Sequence, residues 1–144
     1  MSSTPQTVGK HMTHAPLCVE RTAKLEDAHR MMREHGIRHL PVVEGERLVG
    51  IVSDRAIHFS RSLRTRNQDD ILVQQAMTED PVTYPSSTPL ADVAQMMAQF
   101  RCGSALIVDD GKLVGIFTTV DALRALAEFA SAREGARSDR AKAA

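Results

Sequence analysis

Tryptophan is absent from this 144-residue chain, and aromatic residues make up only 3% of it. A buried core must therefore be aliphatic, assembled from Val, Leu, Ile, Ala and the seven Met. Charge of one sign is lacking as well, because eighteen basic and eighteen acidic residues cancel. Proteins that grip a nucleic-acid backbone carry a positive surplus, so the balance argues against nucleic acid as a partner. No apolar run approaches the ~20 residues that span a bilayer. The polar N-terminus, Met1 to Lys10, has no apolar stretch of the kind found in a secretion signal. Cysteine is scarce: Cys18 and Cys102 form no metal or redox spacing, which suits a reducing compartment. These absences lead to the expectation of a soluble cytoplasmic protein with no membrane contact. Catalytic signatures are missing too, with no Walker loop, Gly-x-Gly-x-x-Gly or Ser-His-Asp pattern.

What is present is an internal repeat. Shifted by 65 residues, the chain lies on itself without a gap. Met12-Thr13 falls on Met77-Thr78, Pro16 on Pro81, Leu25 on Leu90 and Met31-Met32 on Met96-Met97. Val42-Val43 falls on Ile107-Val108, and Leu48-Val49-Gly50-Ile51 on Leu113-Val114-Gly115-Ile116. A constant offset that preserves residue class marks a duplication.

Each copy reads as β-α-β-β-α. Short apolar segments at 17–19 and 82–84 follow a proline and are expected as brief strands. A helix comes next, with Thr22 or Thr88 as expected N-cap and Pro89 at a favourable first position. Leu25, Ala28 and Met32 recur at helical spacing, as do Leu90, Val93, Ala94 and Met97. Gly36 supplies a stop. Apolar strands at 40–43 and 48–52 flank Glu44-Gly45-Glu46-Arg47, a hairpin signature that Asp109-Asp110-Gly111-Lys112 repeats. A second helix leaves each hairpin near Ser53 and near Thr118. One copy has only about 60 residues, too few to bury a comfortable core alone. The expectation is α+β: two repeats, 8–65 and 73–130, packed with pseudo-twofold symmetry into one module. The residues from 131 to 144 are expected as a polar tail, either a frayed helix end or disordered.

Met-Thr…Pro, the helix with paired Met, Gly36-Ile37-Arg38-His39-Leu40-Pro41-Val42-Val43 and Leu48-Val49-Gly50-Ile51-Val52-Ser53 together resemble a cystathionine-β-synthase (CBS) repeat. Copy two, ending Gly115-Ile116-Phe117-Thr118-Thr119-Val120-Asp121, resembles another. The resemblance implies a stand-alone CBS pair (a Bateman module), not an enzyme, which binds an adenosine-containing ligand between its repeats. AMP, ADP or ATP is the implied ligand, with no required cofactor, a homodimer as the assembly and an unidentified protein as reader of the signal. An S-adenosylmethionine sensor is the alternative ligand reading. A ligand-independent dimerisation or docking scaffold is the alternative function.

The resemblance also implies the site. A Ser/Thr-x-x-Asp at the start of the second helix would hold ribose with its carboxylate, and phosphate with its hydroxyl and free helical amides. Thr118 and Asp121 keep this pattern, although Thr followed by Asp in a first turn also caps any helix. Copy one has Ser53 but carries Ala56 in the carboxylate position, and Asp54 lies roughly 200° around the helix from it. The two clefts are therefore expected to be inequivalent. Arg38 and His39, before the inner strand of copy one, stand where some relatives contact phosphate; a solvated Arg and a surface His explain them equally well. The base slot would draw on Pro16, Leu17 and Cys18 from copy one and on Val82 and Thr83 from copy two, residues that core packing also accounts for. By the same analogy, the slot serving Asp121 comes from copy one.

All six histidines, His11, His14, His29, His35, His39 and His58, lie in the first half. His11-x-x-His14 lacks the acidic partner and helical spacing of a zinc motif, and Gly36 separates His35 from His39, so no metal site is expected. A metal-dependent hydrolase is the outlying reading. Arg55, Arg61, Arg64 and Arg66, with His58, form a local basic stretch, read as a solvated helix face and linker.

Overall fold

A computed structural model describes residues 4–63 and 70–143, with side chains through residue 136. In chain order the elements are β1 (Thr13–His14), β2 (Val19–Glu20), α1 (Leu25–His35), β3 (His39–Glu44), β4 (Arg47–Ser53) and α2 (Asp54–Ser62). The second series is β5 (Thr78–Glu79), β6 (Thr83–Tyr84), α3 (Leu90–Phe100), β7 (Ser104–Asp109), β8 (Lys112–Thr118) and α4 (Thr119–Ala143). This is the expected α+β repeat, with two differences in the strands. The brief strands expected at 17–19 and 82–84 are shorter and later, at β2 and β6. The strands β1 and β5, on the Met-Thr motifs, were not expected at all.

Those two strands explain how the copies hold each other. One sheet runs β2-β3-β4-β5 and the other β1-β8-β7-β6. Thr13 and His14 thus pair with Ile116 and Gly115 of copy two, while Thr78 and Glu79 pair with Ile51 and Gly50 of copy one. The cores are exchanged in the same way. Val8 and Met12 are buried with Leu90, Val93, Met97, Ile107 and Phe117, whereas Ile71 and Val73 are buried with Leu25, Met32, Leu40, Val52 and Ile57. The unit that repeats in sequence is therefore not the unit that packs. Gly50 and Gly115 permit the exchange: a Cβ on Gly50 would stand 2.7 Å from the Thr78 carbonyl oxygen, and one on Gly115 would run into Sδ of Met12.

The exchange also overturns the expected N-caps. Helix α1 starts after Lys24 and α3 after Pro89, neither with a side-chain cap. Leu25 N–H donates to the Ile71 carbonyl at 2.8 Å and Leu90 N–H to the Gln6 carbonyl at 2.9 Å. Backbone from the segment leading into the other repeat satisfies these donors, so the threonines are not needed there. Thr88 Oγ1 donates to the Pro85 carbonyl instead. Gly36 ends α1 as expected, at φ 63°. Copy two makes the same stop with Arg101 at φ 55°, a left-handed residue costing about 1 kcal/mol without glycine.

Both hairpins turn on two residues. Asp110 and Gly111 have positive φ, the type I′ signature, and Gly45 is at φ 63°. Asp109, at the start of the copy-two hairpin signature, has a structural role: it accepts from Ser86 N at 2.9 Å and Ser86 Oγ at 2.5 Å. These bonds hold its carboxyl below the usual carboxylate range. In copy one, Arg21 makes the corresponding tie, to Gln74 and Glu44. The stretch expected as a frayed end or disordered tail continues α4 in its backbone to Ala143. Arg64 and Arg66 of the basic stretch lie outside the described residues. No helix among the described residues is long and apolar enough to cross a membrane.

Candidate functional site

Both second helices start where an inner hairpin strand ends, at the seam between the sheets. In copy two, β8 ends on Thr118 and α4 begins at once. The Asp121 side chain folds back onto that turn: Oδ2 accepts from Thr118 N at 2.9 Å and from Thr118 Oγ1 at 3.1 Å. Asp121 N in turn lies 3.4 Å from Thr118 Oγ1. This is the capping geometry anticipated for Thr followed by Asp. One further donor comes from outside the turn. Thr13 Oγ1, on β1, lies 3.1 Å from Oδ1 and 3.3 Å from Oδ2. Asp121 is left 5% exposed, a carboxylate shared between helix cap and a hydroxyl from the other repeat.

Thr13 was not among the residues singled out in sequence. Its signal was there, in the duplicated Met-Thr, but pairing across copies is what brings it to Asp121. A hydroxyl donating to a carboxylate is the contact a ribose diol makes, so Thr13 marks where a ligand hydroxyl would engage the same oxygens.

Copy one keeps the cap and lacks the carboxylate. Ser53 Oγ accepts from Ala56 N at 3.1 Å. Asp54 turns away toward two imidazoles, with Oδ1 3.2 Å from His58 Nε2 and 3.5 Å from His29 Nε2. The free helical amides expected for phosphate are partly taken. Asp54 N donates to the Arg38 carbonyl at 2.8 Å, and Thr119 N to the Gly103 carbonyl at 3.1 Å.

Those two carbonyls bring Arg38, His39 and Gly103 to the seam. The His39 ring lies over Gly103, where a Cβ would stand 3.1 Å from its Cε1 and Nε2. Burial first, then the neighbouring Arg38 charge, holds the His39 imidazole below its ordinary range against the opposing pull of Asp54. The His39 ring is thus favoured in its uncharged form, while Arg38 is the exposed cation of the pair.

Pro16, Leu17 and Cys18 carry the chain from β1 in one sheet to β2 in the other, and so bridge the seam. Leu17 is 41% exposed, and Cys18 donates to the Pro16 carbonyl with its thiol pushed up by burial. Val82 lies in the equivalent crossing of copy two, from β5 to β6, and Thr83 begins β6. Val82 lines an apolar cavity of about 220 Å³ with Tyr84, Met96, Phe100, Cys102 and Ser104. A second apolar groove of about 330 Å³ lies between Gln6, α3 and α4. Neither is lined by Asp121, Thr118 or Arg38.

Family comparison decides what this architecture is. The CBS-domain family model matches residues 8–59 and 70–128. The chain belongs to the CBS-domain family. A curated relative, the inosine-5'-monophosphate dehydrogenase of Korarchaeum cryptofilum, is 38% identical over 99 residues, covering 67% of this chain and 19% of that protein. The chain thus spans about a fifth of that relative's length. Among solved structures, CBSX2 of Arabidopsis thaliana in complex with AMP is 29% identical with a TM-score of 0.74, covering 86% of this chain and 98% of that one. The CBS pair of protein MJ0100, in complex with 5'-methylthioadenosine and S-adenosyl-L-methionine, is 25% identical with a TM-score of 0.75, covering 84% and 99%. Similar CBS pairs therefore carry adenosine ligands of two kinds, a nucleotide and a thioether or sulfonium nucleoside.

Proposed function

We propose that this CBS pair is a regulatory module, without catalysis of its own, that binds one adenosine-containing ligand at the Asp121 cleft and signals its presence to a protein partner. The observation that supports this most is the Asp121 carboxylate, held by Thr118 and met by the Thr13 hydroxyl of the other repeat. Thr118 and Asp121 take the ribose, and Thr13 yields its place on the carboxylate. Pro16, Leu17 and Cys18 line the base slot, and Arg38 with His39 faces the 5' substituent. Ser53, with Ala56 in the carboxylate position, leaves the other cleft without a ribose acceptor, so the exposed Val82 and Thr83 have no ribose to serve there. AMP, ADP or ATP is the favoured class. S-adenosylmethionine is the second reading, favoured by the helical amides Asp54 N and Thr119 N, which are already bonded to carbonyls. A thermal-shift panel with AMP, ADP, ATP and S-adenosylmethionine tests the reading. At a hundred times its dissociation constant the right ligand adds about 2.7 kcal/mol. An unchanged midpoint with every ligand would favour a docking scaffold instead.

The assembly that suits this reading is a homodimer. Val120, Leu123, Leu126 and Phe129 on α4 are between 42% and 63% exposed, and Phe59 on α2 and Leu63 just after it are also exposed. Apolar surface on this scale marks an interaction face. A second copy fits because a twofold makes the face self-complementary and the zero net charge sets no repulsion against it. Light scattering should give twice the chain mass, and Leu123→Glu with Leu126→Glu should halve it. A wild-type monomer at micromolar concentration would contradict the dimer.

A further inference from the structure

His29, Asp54 and His58 form a cluster that the nucleotide cleft does not use. His29 comes from the buried face of α1, Asp54 is the first residue of α2, and His58 follows one turn later. Asp54 Oδ1 stands 3.2 Å from His58 Nε2 and 3.5 Å from His29 Nε2, and one ligand atom from each residue lies within 4.8 Å of the others. A tetrahedral ion with bonds of about 2.0–2.1 Å sets its ligands roughly 3.3 Å apart. Two of the three edges of such a site are thus already at their length. The two rings stand edge to face with centroids 5.4 Å apart, so a small turn of the exposed His58 closes the third.

The duplication supplies an internal control. The positions equivalent to His29, Asp54 and His58 in copy two are Ala94, Thr119 and Leu123. The fold is built there without any of the three, so the cluster is an addition to copy one and not a requirement of the repeat. These are not the histidine pairs considered in sequence: α1 and α2 are separated by a hairpin, and only packing joins them.

We propose that His29, Asp54 and His58 bind a borderline divalent transition ion of the zinc class, with solvent as fourth ligand. Two neutral imidazoles and one carboxylate are the donor set such ions take, and three protein ligands leave an open position. One neighbour opposes it. Arg61 Nη1 lies 3.2 Å from His29 Nδ1, and since an arginine only donates, the ring proton now sits on Nε2. Binding through Nε2 moves that proton to Nδ1, and the guanidinium must then turn away from the ring.

The test is calorimetric titration of the chelator-treated full chain with Zn²⁺ alone, without nucleotide, so that its failure is distinct from failure of the adenosine reading. The expected result is one ion per chain, with Co²⁺ giving the visible bands of a tetrahedral site. His58→Ala, at a side chain 63% exposed, keeps the fold and should weaken binding at least tenfold. His14→Ala should leave binding unchanged, and Arg61→Ala should tighten it by easing the proton shift on His29. Absence of saturable binding at one ion per chain overturns the proposal. So does binding that survives His58→Ala or is lost with His14→Ala.

Discussion

Phe117→Ala should lower the unfolding free energy by about 3–5 kcal/mol, the largest stability loss from any single core truncation in this chain. Among the described residues Phe117 is the largest fully buried side chain, and it packs with Val8, Met12, Leu90, Val93 and Ile107. The duplication provides the comparison, because the equivalent position in copy one is Val52, also fully buried. Val52→Ala deletes only two methyl groups, worth roughly 1.6 kcal/mol of transfer at 0.8 kcal/mol each before any cavity term. A domain of this size is stabilised by about 5–15 kcal/mol in all, so the Phe117 loss should move the melting point by roughly 10 °C or more. Chemical denaturation of the two variants beside wild type measures both. Because Val8 and Met12 share the Phe117 core, the transition should remain single and cooperative; two separate transitions would show that the halves fold independently, against the exchanged packing.

Asp121→Ala should abolish the stabilisation by an adenosine ligand, about 2.7 kcal/mol at a hundred times the wild-type dissociation constant. It should also carry a cost of its own. Thr118 N–H loses its acceptor and Thr13 its partner, so the ligand-free protein falls by about 1–2 kcal/mol, the scale of a lost helix cap. The two effects separate in Asp121→Asn. An amide oxygen still accepts from Thr118 N–H, which keeps the cap, but the charge that favours two ribose hydroxyls is gone. The expected outcome is near-wild-type stability with at least a tenfold loss of affinity. Full ligand response in Asp121→Asn would move the site away from this carboxylate, toward Arg38 and His39.

Much of this molecule could be read from the chain because the repeat is written twice. The 65-residue offset, helical spacing at Leu25, Ala28 and Met32, and the Asp110-Gly111 turn are local signals, and local signals survive translation into structure. What could not be read is long-range. Nothing near Thr13 announces that it pairs with Ile116, 103 residues away. The exchange of β1 and β5 has no periodic signature, since two residues are too few to alternate. The same exchange explains the misplaced caps: Thr22 and Thr88 look like caps only while the helix amides are assumed to lack partners, and Ile71 and Gln6 supply those partners from outside the helix. At the start of α4, the Thr118–Asp121 cap was visible because it spans three residues. Thr13 and the stacking of His39 on Gly103 were not, because both form across the seam.

In the proposed function one cleft of this pair, and only one, holds an adenosine ligand through Asp121. Calorimetric titration with AMP, and separately with S-adenosylmethionine, tests it on wild type and Asp121→Asn at the same concentrations. One molecule of one of these ligands should bind per chain in wild type, and binding in the variant should be at least tenfold weaker. Two equal sites per chain, unchanged affinity in Asp121→Asn, or no heat from either ligand would contradict it.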